Sequence, residues 1–306
     1  MIFRPEGSIY DTEANQHYIS SAEGLAEAMK NGAVVEARAS VCSSAHDIIV
    51  DFPCGKGIIP RTEGALGIAE GTTRDIALIS RVNKIVCFKV LEVRTDEYGN
   101  TAAMLSRVAA QRQCMDEYIS GLRSGDIIDA KVTHHEHFGS FVDIGCGIPS
   151  LIPIDAISVS RISHPSDRFS IGQNIKAVVK SNDNGRIFLS HKELLGTWDE
   201  NTARFSAGET VSGIVRSVEN YGIFVELAPN LAGLAEPKEG VAAGQRVSVY
   251  IKAVIPEKMK VKLIIVDVCG KSDTPDSFGY FIRSGHIDNW KFSSSASPKC
   301  IGTVFR

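Results

Sequence analysis

The sequence predicts an all-β chain of three tandem five-stranded barrels, joined by short helical linkers and preceded by an N-terminal helix. Two observations predict this fold. Residues 125–192 contain five short alternating or apolar runs separated by glycine-containing turns. Related runs recur at an offset of about 92–93 residues before this stretch and of 83 residues after it, as expected for a repeated unit. Closing each sheet into a barrel removes its free edges.

The composition narrows the class of protein. A chain of 306 residues has room for two or three domains, and its net charge of −3 argues mildly against a strongly electrostatic nucleic-acid binder. No apolar run reaches the roughly 20 residues of a membrane span, and the first residues do not resemble a secretory signal. The seven cysteines are scattered, without a Cys-x-x-Cys pair. We therefore expect reduced thiols and a cytoplasmic location.

The first segment, residues 1–31, is interpreted as a lead and a helix. Residues 1–19 show no clear period, which favours an extended lead. Ser20-Ser21-Ala22-Glu23 has the spacing of a capping box, and Asn31-Gly32 ends the helix. We expect this helix to close one open end of the first barrel.

The first barrel, residues 32–107, is predicted to be a degenerate repeat of the middle barrel. Its opening strand at residues 32–38 parallels residues 125–131. The long fourth strand is predicted at residues 82–93, and the closing strand at residues 103–106. A turn at residues 96–100 joins these two strands.

The middle barrel, residues 125–192, lies between two helical linkers at residues 108–124 and 193–207. In the first linker, Met115, Tyr118 and Leu122 recur at helical intervals. Within the barrel, Asn184-Gly185 predicts the turn before the last strand.

The third barrel, residues 208–267, repeats the aromatic strand of the middle barrel with Tyr221 and Phe224. The tail, residues 268–306, is not a fourth copy. It is predicted to hold a strand-like run at residues 278–282, a solvated serine stretch at residues 293–297, and large apolar residues that dock it partly on the third barrel.

The middle repeat resembles the S1 RNA-binding domain, an OB-fold family. The resemblance rests on Phe138-Gly139-x-Phe141-Val142-Asp143-Ile144-Gly145, on residues 151–154 and on residues 185–192. Residues 189–198 extend the likeness into the linker, so the chain as a whole resembles a short member of the bacterial ribosomal protein S1 family. This resemblance implies non-catalytic binding of single-stranded RNA, with mRNA as the partner in translation at the small ribosomal subunit.

The resemblance also implies where RNA is held. Aromatic side chains around the second and third strands stack bases, and nearby donors contact phosphates. The candidate RNA-binding residues are Phe138, Phe141, Arg186, Lys131, His134 and His137 in the middle barrel, and Tyr221, Phe224, Arg216, Asn220 and Lys260 in the third. The first barrel has His46 and Ile49 at the aromatic positions. We therefore expect it to lack a base-stacking surface. The resemblance implies that a degenerate leading domain of this kind contacts proteins of the small ribosomal subunit instead.

Several side chains have a plainer interpretation. Aromatic residues on strands often belong to the core. Without the surrounding pattern, core packing would be the expected role of Phe138 and Phe141. The three histidines of His134-His135-x-His137 invite a zinc hypothesis, but strand alternation places two of them on one face, so no metal site is expected. Arg186 has Asp183 as an alternative partner across the turn.

Two alternative functions stay open at this point. One alternative is a protein-interaction scaffold with little RNA contact. The near-zero net charge of each barrel and the degenerate first barrel favour it. An RNA-processing enzyme is the other alternative, because S1 barrels often accompany nucleases. The sequence has no phosphate-binding loop, no Gly-x-Ser-x-Gly elbow and no carboxylate cluster with two-metal spacing. We therefore predict no catalytic residues and no cofactor.

Overall fold

A computed structural model describes residues 3–95, 100–183, 186–271 and 278–305. Within these ranges the chain forms three closed five-stranded barrels, which confirms the predicted fold class. In each barrel the third strand pairs in parallel with the fifth, which gives the same strand order 1-2-3-5-4 three times. The predicted turn at Asn184-Gly185 and most of the turn at residues 96–100 lie outside the described residues.

The first barrel places small and branched side chains inside and polar ones outside. Its first strand alternates in this way, with Val35, Ala37 and Ala39 buried in the barrel core together with Phe88. A short helix, α3 (Ile76–Ile79), precedes the fourth strand, which begins three residues later than predicted. The strands are β1 (Val35–Cys42), β2 (Ile48–Phe52), β3 (Gly55–Ile59), β4 (Ile85–Thr95) and β5 (Thr101–Ser106).

Two helices precede this barrel, where the sequence predicts one. The second helix, α2 (Ala22–Asn31), begins after the N-cap Ser21 and ends at Gly32, whose φ of 60° is left-handed. The first, α1 (Glu13–Ser20), corrects the expectation of an extended lead. It shows no apolar period because polar contacts hold it: the Asn15 side chain exchanges hydrogen bonds with the backbone of Glu36. Both helices contribute to the core of the first barrel.

The middle barrel follows the linker helix α4 (Arg107–Glu117). That helix buries Val108, Gln111 and Cys114 rather than the predicted face of Met115 and Tyr118. A short helix, α5 (Ile154–Ile157), follows the third strand of the barrel. The strands are β6 (Ile127–Glu136), β7 (Gly139–Asp143), β8 (Pro149–Pro153), β9 (Asn174–Asp183) and β10 (Arg186–Ser190).

The third barrel begins after the linker helix α6 (Trp198–Thr202) and shares its core with the tail. Trp290 and Phe292 are buried in the same apolar cluster as Val249. The strands are β11 (Thr210–Glu219), β12 (Gly222–Ala228), β13 (Leu231–Ala235), β14 (Gln245–Ile255) and β15 (Lys260–Lys271), and the tail adds the pair β16 (Asn289–Lys291) and β17 (Gly302–Val304).

One expectation for the tail is wrong, and another holds only in part. Residues 278–282 do not form a strand, because Phe278 and Tyr280 pack on the buried ring of His191 and Phe281 lies under the guanidinium of Arg204. The serine stretch at residues 293–297 is partly buried, since Ser293 and Ser294 lie at most 5% exposed. No helix within the described ranges is long and apolar enough to cross a membrane.

The chain divides into two compact units. The first contains the N-terminal helices, the first barrel, the linker helix α4 and residues 129–131 and 143–149. The second contains the rest of the middle barrel, the third barrel and the tail.

Candidate nucleic-acid interface

The middle barrel carries two aromatic rings at its surface, where β6 turns into β7. Phe138 lies in the turn and is 56% exposed, and Phe141 lies on β7 and is half-buried. Their ring centroids are 6.1 Å apart at an interplanar angle of 83°, the edge-to-face arrangement that aromatic pairs favour. Neither ring is sealed in the barrel core, so both are available to a ligand.

The glycine between these rings is required by a close approach of two backbones. A Cβ atom at Gly139 would lie 2.4 Å from the carbonyl oxygen of Ile152, so no side chain fits there. Gly222 of the third barrel is in the same position, and its Cβ would lie 2.7 Å from the carbonyl oxygen of Ala235. The spacing aromatic-Gly-x-aromatic therefore follows from the way the second and third strands meet.

A histidine enlarges the aromatic surface. His134, exposed on β6, stacks on Phe141 with ring centroids 4.4 Å apart and planes inclined by 8°. We call the surface formed by Phe138, Phe141 and His134 the middle platform. His137 is exposed beside it, whereas His135 is half-buried, and burial lowers the pKa of its imidazole. Among the described residues, no group of three or more His, Cys, Asp or Glu side chains is arranged to hold a metal ion.

The two cations predicted in the middle barrel are placed differently from the rings. Arg186 is exposed at the start of β10, opposite Asp183 in the ladder. Strand β8 separates β10 from β7, so Arg186 lies two strands, or roughly 10 Å, from the strand of Phe141. Lys131 is half-buried, and its Nζ donates a hydrogen bond to the carbonyl oxygen of Glu6 at 2.9 Å.

The third barrel repeats the aromatic pair. Tyr221 is 67% exposed, and its ring lies 6.2 Å from that of half-buried Phe224 at 87°. We call these two rings the third platform. They line a groove of about 610 Å³, and residues 160–163 from the loop after β8 line it too. The same geometry therefore occurs at equivalent positions of two barrels.

The polar residues predicted around the third platform are placed differently from one another. Arg216 is held by a buried carboxylate: its Nε and Nη2 atoms donate to Glu226 at 2.9 and 3.1 Å. Asn220 is exposed in the turn beside Tyr221. Lys260 is exposed at the start of β15, which β13 separates from β12. Arg216 is therefore not a free phosphate donor, unlike the role that the sequence predicts for it.

Glu226 holds a second arginine as well. Arg168 donates from Nη1 and Nη2 to the two carboxylate oxygens, both at 2.7 Å. Burial disfavours the ionised carboxylate of Glu226, but the hydrogen bonds and charges of Arg168 and Arg216 outweigh burial and lower its pKa. The three groups carry one net positive charge beneath the third platform.

The first barrel has neither phenylalanine nor tyrosine at the equivalent positions. His46 lies in the β1–β2 turn with a left-handed φ of 65°, 3.7 Å from a carboxylate oxygen of Asp75. Ile49 occupies the place of Phe141 and belongs to a row of aliphatic side chains that crosses four strands. The row, which we call the aliphatic row, follows the ladder partners Val41, Ile49, Ile58 and Met104.

Comparisons with known proteins identify the middle barrel and find relatives of part of the chain. Residues 122–192 match the family model described as S1 RNA binding domain. The chain is 34% identical over 121 residues to small ribosomal subunit protein bS1 of Staphylococcus aureus, covering 37% of this chain and 31% of the relative. It is 30% identical over 187 residues to bS1 of Staphylococcus epidermidis, covering 59% and 45%. The resemblance of the middle barrel to the S1 RNA-binding domain is thus confirmed, and part of the chain is similar to bacterial ribosomal protein S1.

One solved structure matches over a longer part of the chain. A multidomain protein with nucleic acid binding domains from Streptococcus pneumoniae is 14% identical, with a TM-score of 0.25, and the match covers 77% of this chain and 73% of that protein. The chain spans less than half the length of the two staphylococcal relatives.

Proposed function

We propose that this chain, whose middle barrel is an S1 RNA-binding domain, binds single-stranded RNA without catalysis. We assign it to mRNA binding in translation at the small ribosomal subunit, in the cytoplasm. The ligand lies across the middle platform and, more weakly, across the third platform.

One observation carries this proposal: Phe138 projects into solvent beside Phe141, and His134 extends the same surface. An exposed apolar cluster of this kind marks a binding surface in a soluble protein. Each base that stacks on such a ring contributes about 1–3 kcal/mol, with little dependence on sequence. The repetition of the pair at Tyr221 and Phe224 supports a ligand that is itself a repeat of flat groups, as a nucleic acid strand is.

The polar groups around the rings favour a moderate rather than a strong electrostatic contribution to RNA affinity. His137, Arg186, Asn220 and Lys260 are exposed and able to reach phosphates of a bound strand. Lys131 and Arg216 are engaged with protein groups and contribute to placing strands and loops. Because few cations are free, we expect binding to weaken with salt less steeply than for a strongly basic protein.

Fluorescence anisotropy with a labelled oligouridylate of about 12 nucleotides tests the proposal. The full chain is titrated at about 50 mM and about 200 mM salt, and a duplex of the same length is the control. We expect micromolar or tighter binding of the single strand and much weaker binding of the duplex, because paired bases cannot stack on the rings. Absence of single-strand binding at micromolar protein would overturn the proposal.

The aliphatic row favours a second function, for the first barrel alone. Val41 is 50% exposed, Ile58 41% and Met104 39%, and aliphatic side chains offer no stacking surface to bases. We propose that this face docks on a protein of the small ribosomal subunit. Co-sedimentation of Ile58→Asp with purified small subunits is compared with that of Phe138→Ala/Phe141→Ala. If the first variant sediments like the unsubstituted protein, the docking proposal fails, and the second variant reports the RNA contribution.

A further inference from the structure

One loop of the middle barrel is fastened to the third barrel. Residues 158–168 follow α5, and within the second unit the backbone N–H of Val159 donates to Oδ1 of Asn230 at 2.9 Å. The N–H of Ser160 donates to the carbonyl oxygen of Pro229 at 3.2 Å. At the far end of the loop, Arg168 is 5% exposed and makes the two 2.7 Å bonds to Glu226. We call residues 158–168 the bridging loop.

The bridging loop contacts His135 on β6 and His137 in the turn after it through His164. The ring of His164 lies 5.4 Å from that of His137 at an angle of 78°. The backbone N–H of Ser166 donates to Nδ1 of His164 at 3.2 Å, so the neutral imidazole carries its proton on Nε2. Nε2 is thus a hydrogen-bond donor beside His137, which precedes Phe138 in the chain.

The same loop reaches the third platform through Arg161. Arg161 and Ser163 line the groove that holds the rings of Tyr221 and Phe224. Arg161 is exposed and has no hydrogen-bond or ion-pair partner among the described residues. Since Glu226 holds Arg216, the free cation at this platform comes from the neighbouring barrel. Glu219 is the one acidic side chain among the groove residues.

We propose that the bridging loop joins the middle and third platforms into one continuous track for single-stranded RNA, with Arg161 and His164 as its contact residues. This inference rests on the proposed RNA binding and adds the path of the strand. Ser163 lines the groove and His164 is the next residue, so their Cα atoms are about 3.8 Å apart. The loop therefore offers a donor beside His137, the residue before Phe138, and a cation in the groove of Tyr221.

The fastening of the loop gives the track its expected advantage. Once a strand has bound to either platform, its next nucleotides are held near the other platform at a high effective concentration. No flexible linker between the platforms lowers this concentration. Nucleic acid is favoured over an acidic peptide because each of the two barrels carries an aromatic pair at its surface, and a peptide of carboxylates gains nothing from stacking.

A length series tests the track with the full chain. Oligouridylates of about 4, 8 and 12 nucleotides are titrated by fluorescence anisotropy, because one barrel of this kind holds at least about 4 nucleotides. We expect the affinity to rise by more than about tenfold once the strand spans both platforms. Independent platforms would give instead the few-fold rise that comes from the larger number of binding registers.

The double variant Arg161→Gln/His164→Asn removes both loop side chains from the track. Asparagine keeps a good N-cap at position 164, so the turn at residues 165–167 is retained. We expect the rise with length to shrink to a few-fold, because a long strand loses both loop contacts. The slope of the logarithm of the binding constant against the logarithm of the salt concentration should become shallower by about 0.7 for each phosphate that the protein no longer neutralises. Thermal melts check that the variant is folded.

Arg283→Gln is the matched control. Arg283 is an exposed cation in the tail, next to residues 285–287, which pair with the chain at Gly125 and Ile127. That pairing lies at the start of β6, roughly 25 Å along the strand from His134. We expect this variant to keep the full rise with length.

Three outcomes would overturn the track. They are absence of the rise in the unsubstituted chain, a full rise in the double variant, and displacement of the long strand by an oligoglutamate peptide at equal concentration. In each case RNA binding that Phe138→Ala/Phe141→Ala abolishes would leave the proposed function standing. Absence of binding at every length would overturn both proposals.

Discussion

The first and middle barrels share one strand order but present different outer faces. Their first strands bury equivalent residues, Val35 and Ala37 in one and Ile128 and Ala130 in the other. On the outside, Ile49 stands where the middle barrel has Phe141. The inward residues of a repeat therefore maintain the fold, whereas the outward ones decide the ligand. Here that difference separates an aliphatic face from an aromatic one.

The turn before the second strand deepens this difference. His46 adopts a left-handed φ of 65°, which is uncommon outside glycine and which histidine tolerates better than phenylalanine. Phe138 has no such constraint and projects into solvent. The first barrel therefore differs from a base-binding barrel in backbone path as well as in side chains.

The largest effect is expected from removing the middle platform. Phe138→Ala/Phe141→Ala removes two stacking rings and should lower RNA affinity by roughly 2–6 kcal/mol, measured by anisotropy with an oligouridylate. Ile49→Ala in the first barrel is the matched control and should leave RNA affinity unchanged. Equal losses in the two variants would show that the two faces do not differ in function.

The next largest effects are on the free energy of unfolding. They concern the residue that follows the closing strand in the first and middle barrels. In the first barrel this is Arg107, which is 1% exposed and ion-paired with Glu6, as is Arg81. Glu6→Gln leaves two guanidinium groups without their carboxylate and should cost about 3–5 kcal/mol of the free energy of unfolding, measured by urea denaturation. Glu13→Gln, at an exposed position, should cost nothing measurable; a small loss at Glu6 would mean that the pair is dispensable.

In the middle barrel the equivalent residue is His191, which is buried and uncharged. Burial lowers the pKa of His191 to about 3, whereas an unfolded histidine has a pKa of about 6.5. The unfolded state therefore takes up a proton first as pH falls below about 6.5. The contribution of His191 to the free energy of unfolding is therefore fully present above that pH. It should decrease by about 2 kcal/mol on going from pH 7 to pH 5.

Comparison with His191→Gln isolates this contribution. Glutamine can still donate to the carbonyl oxygen of Ile157, which His191 contacts through Nδ1 at 2.9 Å. Urea denaturation at pH 7 and pH 5 should show a smaller loss on acidification for the variant. Glu36 acts in the opposite direction, because burial raises the pKa of its carboxyl group to about 7. An identical loss in the two proteins would mean that His191 is protonated in the folded state.

The smallest effect is expected from adding one ring to the first barrel. Ile49→Phe places an aromatic side chain beside Ile58 but leaves the turn at His46 unchanged. We expect RNA affinity to rise by less than about threefold, or under 0.7 kcal/mol, because a single ring without its partner stacks one base weakly. A large gain would show that side-chain identity alone separates the two faces.

The sequence predicts the barrels well because their strands alternate and repeat at fixed offsets. It also predicts the two aromatic pairs, since the glycine between the rings is forced by the backbone of the third strand. It does not predict helix α1, whose Asn15 is held by polar contacts, or the irregular course of residues 278–282. Neither segment has an apolar period, and both depend on partners far away in the chain.

The polar part of the site is less predictable for a similar reason. Arg216 appears in the sequence as a free cation, but Glu226 and Arg168, the latter 58 residues before that glutamate, decide its role. Arg161 and His164 lie in a segment without periodicity or motif, and their proximity to the aromatic rings follows from how the loop is fastened. Pairings of this kind depend on tertiary structure, which local sequence patterns do not contain.

Photo-cross-linking tests the central claim most directly. An oligouridylate of about 12 nucleotides that carries 4-thiouridine is irradiated with the full chain, and the attached peptides are identified by mass spectrometry. We predict cross-links in the peptides that contain Phe138 and Phe141, with weaker ones at Tyr221, and none at Ile49. Cross-links confined to the first barrel, or absent from the middle platform, would contradict RNA binding by the aromatic face.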